Sequence, residues 1–288
     1  MRAVLCAPAM PVRSREGFTV LNRGCCLSGH WPAMNSCSVQ SNSRRGCTVE
    51  LTIAVISYNT RDLLLACLKS IQDTTKDVEY ELVVIDNASS DGSATAVRAQ
   101  FPQVRVISNH DNGGYAKACN QVVLVGRGQY LLFLNSDTVM RSGTLCRMMA
   151  CLELQPDVGA VSCLQRNEAG QVLRSCFPFP SVRDHLRYSV WIPTIIKQVG
   201  RDNPELDFTV SQDVEWANGA CLMVRKELFE QLGGFDHRFF MYFEDVDLCR
   251  RIHQRGYRVR HAADGEIVHL IGRSSVEHRD QLNVQWEL

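Results

Sequence analysis

The stretch Leu51-Thr52-Ile53-Ala54-Val55-Ile56-Ser57-Tyr58-Asn59 decides how the rest of the chain is read. Its first six residues are short in polar groups and rich in β-branched side chains, the pattern of a parallel strand buried on both faces. Residues 60–71 then place Leu63, Leu64, Cys67, Leu68 and Ile71 on one stripe, which predicts a helix. The unit recurs. Residues 81–85 predict a second strand before a helix over 91–99, residues 104–107 a third before 114–125, and residues 130–134 a fourth before 143–154. Strands and helices alternating at this spacing predict an α/β fold around a doubly wound, mostly parallel central sheet.

The chain has 288 residues, 45% of them hydrophobic, enough to bury a core as one large or two small domains. Its 31 basic and 31 acidic residues cancel, and that neutrality argues against nucleic acid as the partner. The 13 cysteines are odd in number and hold no C-x-x-C pair, so neither a disulfide framework nor a zinc site is expected, and a reducing cytosol fits. No run reaches about 18 apolar residues, so no transmembrane helix is expected. Residues 1–48 differ in kind. They set Arg2, Arg13, Arg15, Arg23, Arg44 and Arg45 against the single acid Glu16 and show no period, which predicts disorder. A transit-peptide-like leader and a natural start at Met34 or later both stay open for this segment.

In doubly wound sheets ligands sit beyond the carboxyl ends of the strands, so the residues just after each strand are the ones to inspect. Here they are Ser57-Tyr58-Asn59, Asp86-Asn87-Ala88-Ser89-Ser90-Asp91-Gly92, Asn109-His110-Asp111-Asn112-Gly113-Gly114 and Asn135-Ser136-Asp137. Any one could be helix caps and turns, Asp91 and Asn112 above all. Four polar edges facing one crevice favour a bound polar ligand. Gly113-Gly114 at a helix start would let backbone amides approach a phosphate. Asp137 suits a hard divalent ion held partly by the ligand's own phosphates, its alternative being a helix cap with Thr138. No Walker lysine follows, and no G-x-G-x-x-G follows the first strand, which disfavours an ordinary ATPase or dehydrogenase. Further on, the aromatic run Phe239-Phe240-Met241-Tyr242-Phe243 ends in Glu244, Asp245 and Asp247. Carboxylates partly desolvated at a helix start can make a general base, or can simply complement the helix dipole.

Taken in order, Val55–Asn59, Val84–Gly92, Asn112-Gly113-Gly114-Tyr115-Ala116, Leu134–Thr138, Trp216-Ala217-Asn218-Gly219-Ala220 and Tyr242–Asp247 resemble the inverting family-2 glycosyltransferases of GT-A fold, closest to the rhamnosyltransferase-like branch. The likeness implies a Rossmann-like nucleotide-sugar half over 49–140 and an acceptor and catalytic half over 141–275, with 276–288 as a short tail. It implies a nucleoside-diphosphate sugar donor (dTDP-rhamnose or a UDP-sugar), a divalent Mg2+ or Mn2+, and a glycan or lipid-linked acceptor in cell-surface polysaccharide synthesis. The matching positions put Ser57, Tyr58, Asn59 and Asp86 near the nucleoside and Asn112, Gly113 and Gly114 near the ribose and diphosphate. Asn135, Trp216 and Gly219 join the nucleotide-sugar site. Asp137 matches the last acid of the D-x-D motif, whose first position here is Asn135, and His269 in Glu266-Ile267-Val268-His269-Leu270 matches the histidine that completes metal binding. Asp245 is the expected base, with Glu244 orienting the acceptor or the base. Asp247, two residues on, should point away by about 200° at 3.6 residues per turn.

Between Cys163 and Asp213 four prolines, scattered aromatics and arginines mark a long insertion where the family shapes its acceptor site. Apolar and basic residues together would suit a pyrophosphate-bearing lipid acceptor, hence peripheral contact with the inner face of the plasma membrane in an otherwise cytoplasmic protein; ordinary core packing explains the aromatics equally well. Gly272-Arg273-Ser274-Ser275 resembles the start of a lid over the diphosphate. Two other functions remain: a nucleotidyltransferase of related fold, which would make nucleotide-sugars, and a catalytically silent nucleotide-sugar-binding protein, suggested by Asn135 and the short stretch after His269.

Overall fold

A computed structural model describes residues 49–180 and 206–270. The expectations for 1–48, for the middle of the insertion, for the lid at 272–275 and for the tail therefore lie outside the described residues. The first strand, β1 (Leu51–Ser57), is buried at every position, as its unbroken apolar run requires. It lies parallel to β2 (Tyr80–Asp86) on one side and to β4 (Tyr130–Asn135) on the other, and β2 in turn lies parallel to β3 (Arg105–Ser108). Between them run α1 (Arg61–Thr74), α2 (Ser93–Gln100), α3 (Tyr115–Asn120) and α4 (Val122–Val125). Leu64, Cys67, Leu68 and Ile71 of α1 are buried, the stripe its spacing predicts.

The helix expected over 114–125 is two pieces. Around Gln121 the bonds tighten to i→i−3, from Gln121 N–H to the Ala118 carbonyl and from Leu124 N–H to the Gln121 carbonyl. The Asn120 side chain meanwhile bonds the backbone of Phe235 through both its oxygen and its nitrogen.

Past β4 the sheet changes character. A turn leads to β5 (Thr138–Met140), then α5 (Thr144–Leu154), β6 (Val158–Arg166), β7 (Cys176–Phe177), β8 (Gln212–Val214), β9 (Trp216–Ala217), β10 (Cys221–Arg225), α6 (Lys226–Gln231), α7 (Glu244–Gln254) and β11 (Arg258–His269). The sheet order is β3-β2-β1-β4-β10-β6-β11-β5, with β8 also on β11 and a separate β7-β9 ribbon. Here β10 is antiparallel to both β4 and β6, and β11 is parallel to β6 but antiparallel to β5 and β8. Because residues 138–140 form a strand, Asp137 caps no helix. Apolar side chains from both faces of the sheet fill the core, with Phe133, Phe229 and Phe235 packed at centroid distances of 4.9–5.3 Å on one face.

Candidate active site

The carboxyl ends of β1 and β4, the end of β11 and the start of α7 surround a cavity of about 250 Å3. A larger open groove of about 500 Å3 lies at the other end of β4, between Gln129, Arg225, Lys226 and Glu230. Its cations are spoken for: Arg225 bonds the Val158 and Gln155 carbonyls and Lys226 the Gly126 carbonyl. The smaller cavity is where chemical groups converge, on the side of the sheet where ligands bind in such folds.

Of the residues singled out in the sequence, Tyr58, Asn112, Asn135, Asp137, Gly219, Glu244, Asp245 and His269 line this cavity. Six others do not. Ser57 lies beneath the floor, its hydroxyl 3.0 Å from that of Thr60, which is 2.8 Å from that of Ser136. Asn59, at φ 52°, ties two strand ends together by accepting from the Ser90 N–H and donating its own N–H to the Ser89 hydroxyl. Asp86 accepts from the Ser89 N–H through Oδ2, while its buried Oδ1 has no partner among the described residues. Gly113 lies against the Lys117 side chain.

Gly114 and Trp216 are engaged within the protein itself. The close approach that Gly114 permits is made by protein backbone. At φ 87° it sits against Phe240, whose carbonyl and Cα a Cβ would strike, and the Tyr115 N–H donates to the Phe240 carbonyl at 2.7 Å. The Gly114 N–H itself goes to Asn112 Oδ1 at 3.1 Å. The Tyr115 amide thus holds the loop before α7, and the Gly114 amide is taken up by Asn112. Trp216 stacks on Phe177 at 4.6 Å and donates its indole N–H to the Pro178 carbonyl, clear of the cavity wall. Asp91 turns out to cap two helices at once, taking the Arg61 N–H on one oxygen and the Ser93 N–H on the other. Burial opposes its ionisation, but these bonds prevail and lower its pKa.

One corner of the cavity is built on β5 and β11. Their antiparallel pairing sets His269 opposite Thr138, and the Leu270 N–H donates to the Asp137 carbonyl. His269 Nε2 then stands 3.3 Å from Oδ1 of Asp137, which is 1% exposed. Gln165, wholly buried at the end of β6, gives its amide N–H to Asn218 Oδ1 at 2.7 Å and turns Oε1 to His269 Nδ1 at 3.2 Å. An amide oxygen only accepts, so Nδ1 carries the hydrogen. A neutral ring would then set the Nε2 lone pair against a carboxylate, an arrangement that needs a cation at Nε2, a proton or a metal ion. The donor set fits a divalent ion that shares its remaining positions with a ligand's oxygens. Among the described residues no third Asp, Glu, His or Cys completes a cluster. Sequence reasoning missed Gln165 and Asn218, although a polar residue ending an apolar strand was the available signal.

The other corner is the first turn of α7. Tyr242 and Phe243 precede it at φ 67° and 68°, a left-handed pair of bulky residues that tertiary contacts must hold. Asp245, 9% exposed, accepts from the Gly219 N–H at 2.9 Å on Oδ2 and from the Val246 N–H at 2.8 Å on Oδ1. Burial raises its pKa and the two amides resist the rise. Glu244 is 5% exposed, and its Oε2 has no hydrogen-bond partner among the described residues. Burial first, and the neighbouring Asp245 charge second, push its pKa up to about 8. Asp247 points elsewhere, bonded to Arg251 at 2.8 Å one turn along.

This sheet, with its crevice at the parallel strand ends and a carboxylate-bearing helix beside it, has counterparts among solved structures. A mannosyltransferase from Pyrobaculum calidifontis, in complex with GDP-Man and Mn2+, superposes with a TM-score of 0.57 at 24% identity over 78% of this chain and 57% of that one. TarS of S. aureus in complex with UDP gives 0.52 at 17% identity, covering 76% of this chain and 60% of its own. The chain thus spans little more than half of each. These likenesses establish an α/β GT-A fold. The family model Glycosyl transferase family 2 matches residues 52–247, and the chain belongs to that family. It is therefore a glycosyltransferase, and its curated relatives include rhamnosyltransferases. It is 27% identical to the N-acetylglucosaminyl-diphospho-decaprenol L-rhamnosyltransferase of Mycobacterium tuberculosis over 76% of this chain and 75% of that protein. Rhamnosyltransferase WbbL of Escherichia coli is 26% identical, over 75% of this chain and 82% of its own length.

Proposed function

We propose that the chain moves a sugar, with inversion, from a nucleoside-diphosphate sugar to a glycan or lipid-linked acceptor in cell-surface polysaccharide synthesis. The donor is dTDP-rhamnose or a UDP-sugar. The observation that carries the reading is the pairing of unlike carboxylates in one cavity: Asp245 held by two amides, and Asp137 held against an imidazole. Asp245 takes the proton of the acceptor hydroxyl as that oxygen attacks the anomeric carbon, from the face opposite the leaving diphosphate. Its burial brings the carboxyl towards working pH, and the Gly219 and Val246 amides fix the anion in place. Asp137 and His269 would hold Mg2+ or Mn2+, which would supply positive charge against the leaving diphosphate. Asp86 lies outside the cavity wall, and its Oδ1, without a partner among the described residues, would have to turn towards the cavity to accept an N–H of the nucleobase.

The activity of the mycobacterial relative supports a polyprenyl-diphosphate-linked sugar as acceptor. Such an acceptor would bring the protein to the inner face of the plasma membrane as a peripheral enzyme. Among the described residues no helix is long and apolar enough to cross a membrane. A panel of nucleotide-sugars, tried with a polyprenyl-diphosphate-linked sugar and Mn2+, tests the proposal. Release of nucleoside diphosphate with one donor, and an inverted anomeric configuration in the product by NMR, are expected. Pyrophosphate formation from a sugar phosphate and a nucleoside triphosphate, or binding without turnover, would sink it.

A further inference from the structure

Two carboxyl groups side by side at the start of α7 receive very different treatment. Asp245 has a backbone N–H on each oxygen, a setting that favours the ion. Glu244 has none on Oε2, although that atom is buried and the side chain forms part of the cavity wall. Among the described residues, the titratable groups packed against Glu244 are Asp245 on its own helix and Tyr115 and Cys119 on α3, with Asp137 and His269 on the far side of the cavity. None of the three packed against it is a cation, and burial pushes both Tyr115 and Cys119 up, so neither supplies charge of its own near neutral pH. The Tyr115 hydroxyl is turned away to donate to the Gly219 carbonyl. A single negative charge is therefore what this corner can hold, and the amides assign it to Asp245.

We infer that Glu244 works as a neutral carboxylic acid whose O–H donates a hydrogen bond to a hydroxyl oxygen of a sugar bound in the cavity, while Asp245 beside it carries the negative charge. This rests on the glycosyl-transfer reading for its ligand but not for its protonation. An ionised Glu244 could only accept hydrogen bonds and would stand beside the charge of Asp245. The neutral acid instead presents a hydrogen to a lone pair of the sugar and leaves Asp245 as the one group able to take a proton. Enzymes that separate two carboxyls into an acid and a base do so by such unequal surroundings.

The raised pKa fixes the sign of the effect on stability. The folded protein holds this proton up to about pH 8 whereas the unfolded chain releases it in the ordinary carboxylate range. The stabilisation is full below that range and is lost as pH climbs from it to about 8. Glu244→Gln keeps the shape and an N–H donor but cannot ionise. Thermal melts of the parent and of Glu244→Gln, run without substrate at the low end of the carboxylate range and near pH 8, test protonation alone. The advantage of the variant should grow by several degrees between the two and level off above about pH 8. An equal difference at both pH values overturns the proposal, whatever the donor panel shows. The hydrogen bond is tested by turnover. The parent should lose transfer above about pH 8 while Glu244→Gln does not. Glu244→Ala should raise one KM by roughly three- to tenfold, the worth of a single hydrogen bond, at unchanged melting behaviour on the acid side. A rise in the donor KM places the contact on the donor sugar, and a rise in the acceptor KM places it on the acceptor. No change in either KM, or an alkaline fall that persists in Glu244→Gln, overturns the contact.

Discussion

The two acidic corners of the cavity are chemical opposites. Asp137 sits in the turn between β4 and β5, is almost wholly hidden, and faces an imidazole whose far nitrogen is committed to Gln165. Asp245 starts a helix, has no ion pair among the described residues, and is steadied by uncharged amides. A carboxylate turned towards an imidazole nitrogen is placed to share a metal ion with it; one that is buried among dipoles, as Asp245 is, is closer to accepting a proton. The same functional group is thus directed to different work by its surroundings, and the contrast can be broken one side at a time.

The largest effect should come from Asp245→Asn. It keeps the shape and removes the basicity, so transfer should fall by about 10²- to 10⁴-fold while nucleotide-sugar affinity, read by calorimetry, stays near the parent's. Transfer at the parent rate would remove Asp245 from the mechanism. Next comes the other corner. Asp137→Ala or His269→Ala should weaken donor binding in Mn2+ by at least about tenfold, and chelation should do the same to the parent. Donor binding indifferent to all three would dissolve the contrast, leaving an ordinary ion pair. The smallest effect belongs to Asp247→Asn. That change loosens an i,i+4 pair with Arg251 worth about 0.3–0.5 kcal/mol and should leave transfer untouched, as a melt and a rate measurement would show together. A rate loss there comparable with that of Asp245→Asn would mean that the wrong face of the helix had been assigned.

The parallel half of the sheet was legible in the sequence because its inner strands are covered on both faces and read as unbroken apolar runs. β1 and β4 begin and end within a residue of where the pattern sets them. The helix stripe of α1 was legible for the same reason. What failed to read are features decided by partners far along the chain. Gly113-Gly114 promised room for a close approach without saying what would approach, and the visitor at Gly114 is the backbone of Phe240. Trp216 stood in a motif, but its ring is spent on Phe177 and Pro178. Thr138 gave no hint of the three-residue strand that sets Asp137 beside His269, because that strand exists through its pairing with β11. Gln165 obeyed the same strand-end rule as Asn135, yet it ends a strand that only the antiparallel half supplies.

That dependence on β11 sets an order of assembly. The parallel strands and their helices are complete by residue 135, so a growing chain can form the nucleotide-side crevice early. The Phe240 carbonyl that receives the Tyr115 N–H, and the strand that pairs with β5, are synthesised more than a hundred residues later. Contacts across such separations close slowly, since the intervening loop must first lose its freedom. The Asp137 corner is therefore finished only when β11 slides in between β6 and β5. A ribosome-bound fragment stopping short of it would carry the crevice without the means to use what enters.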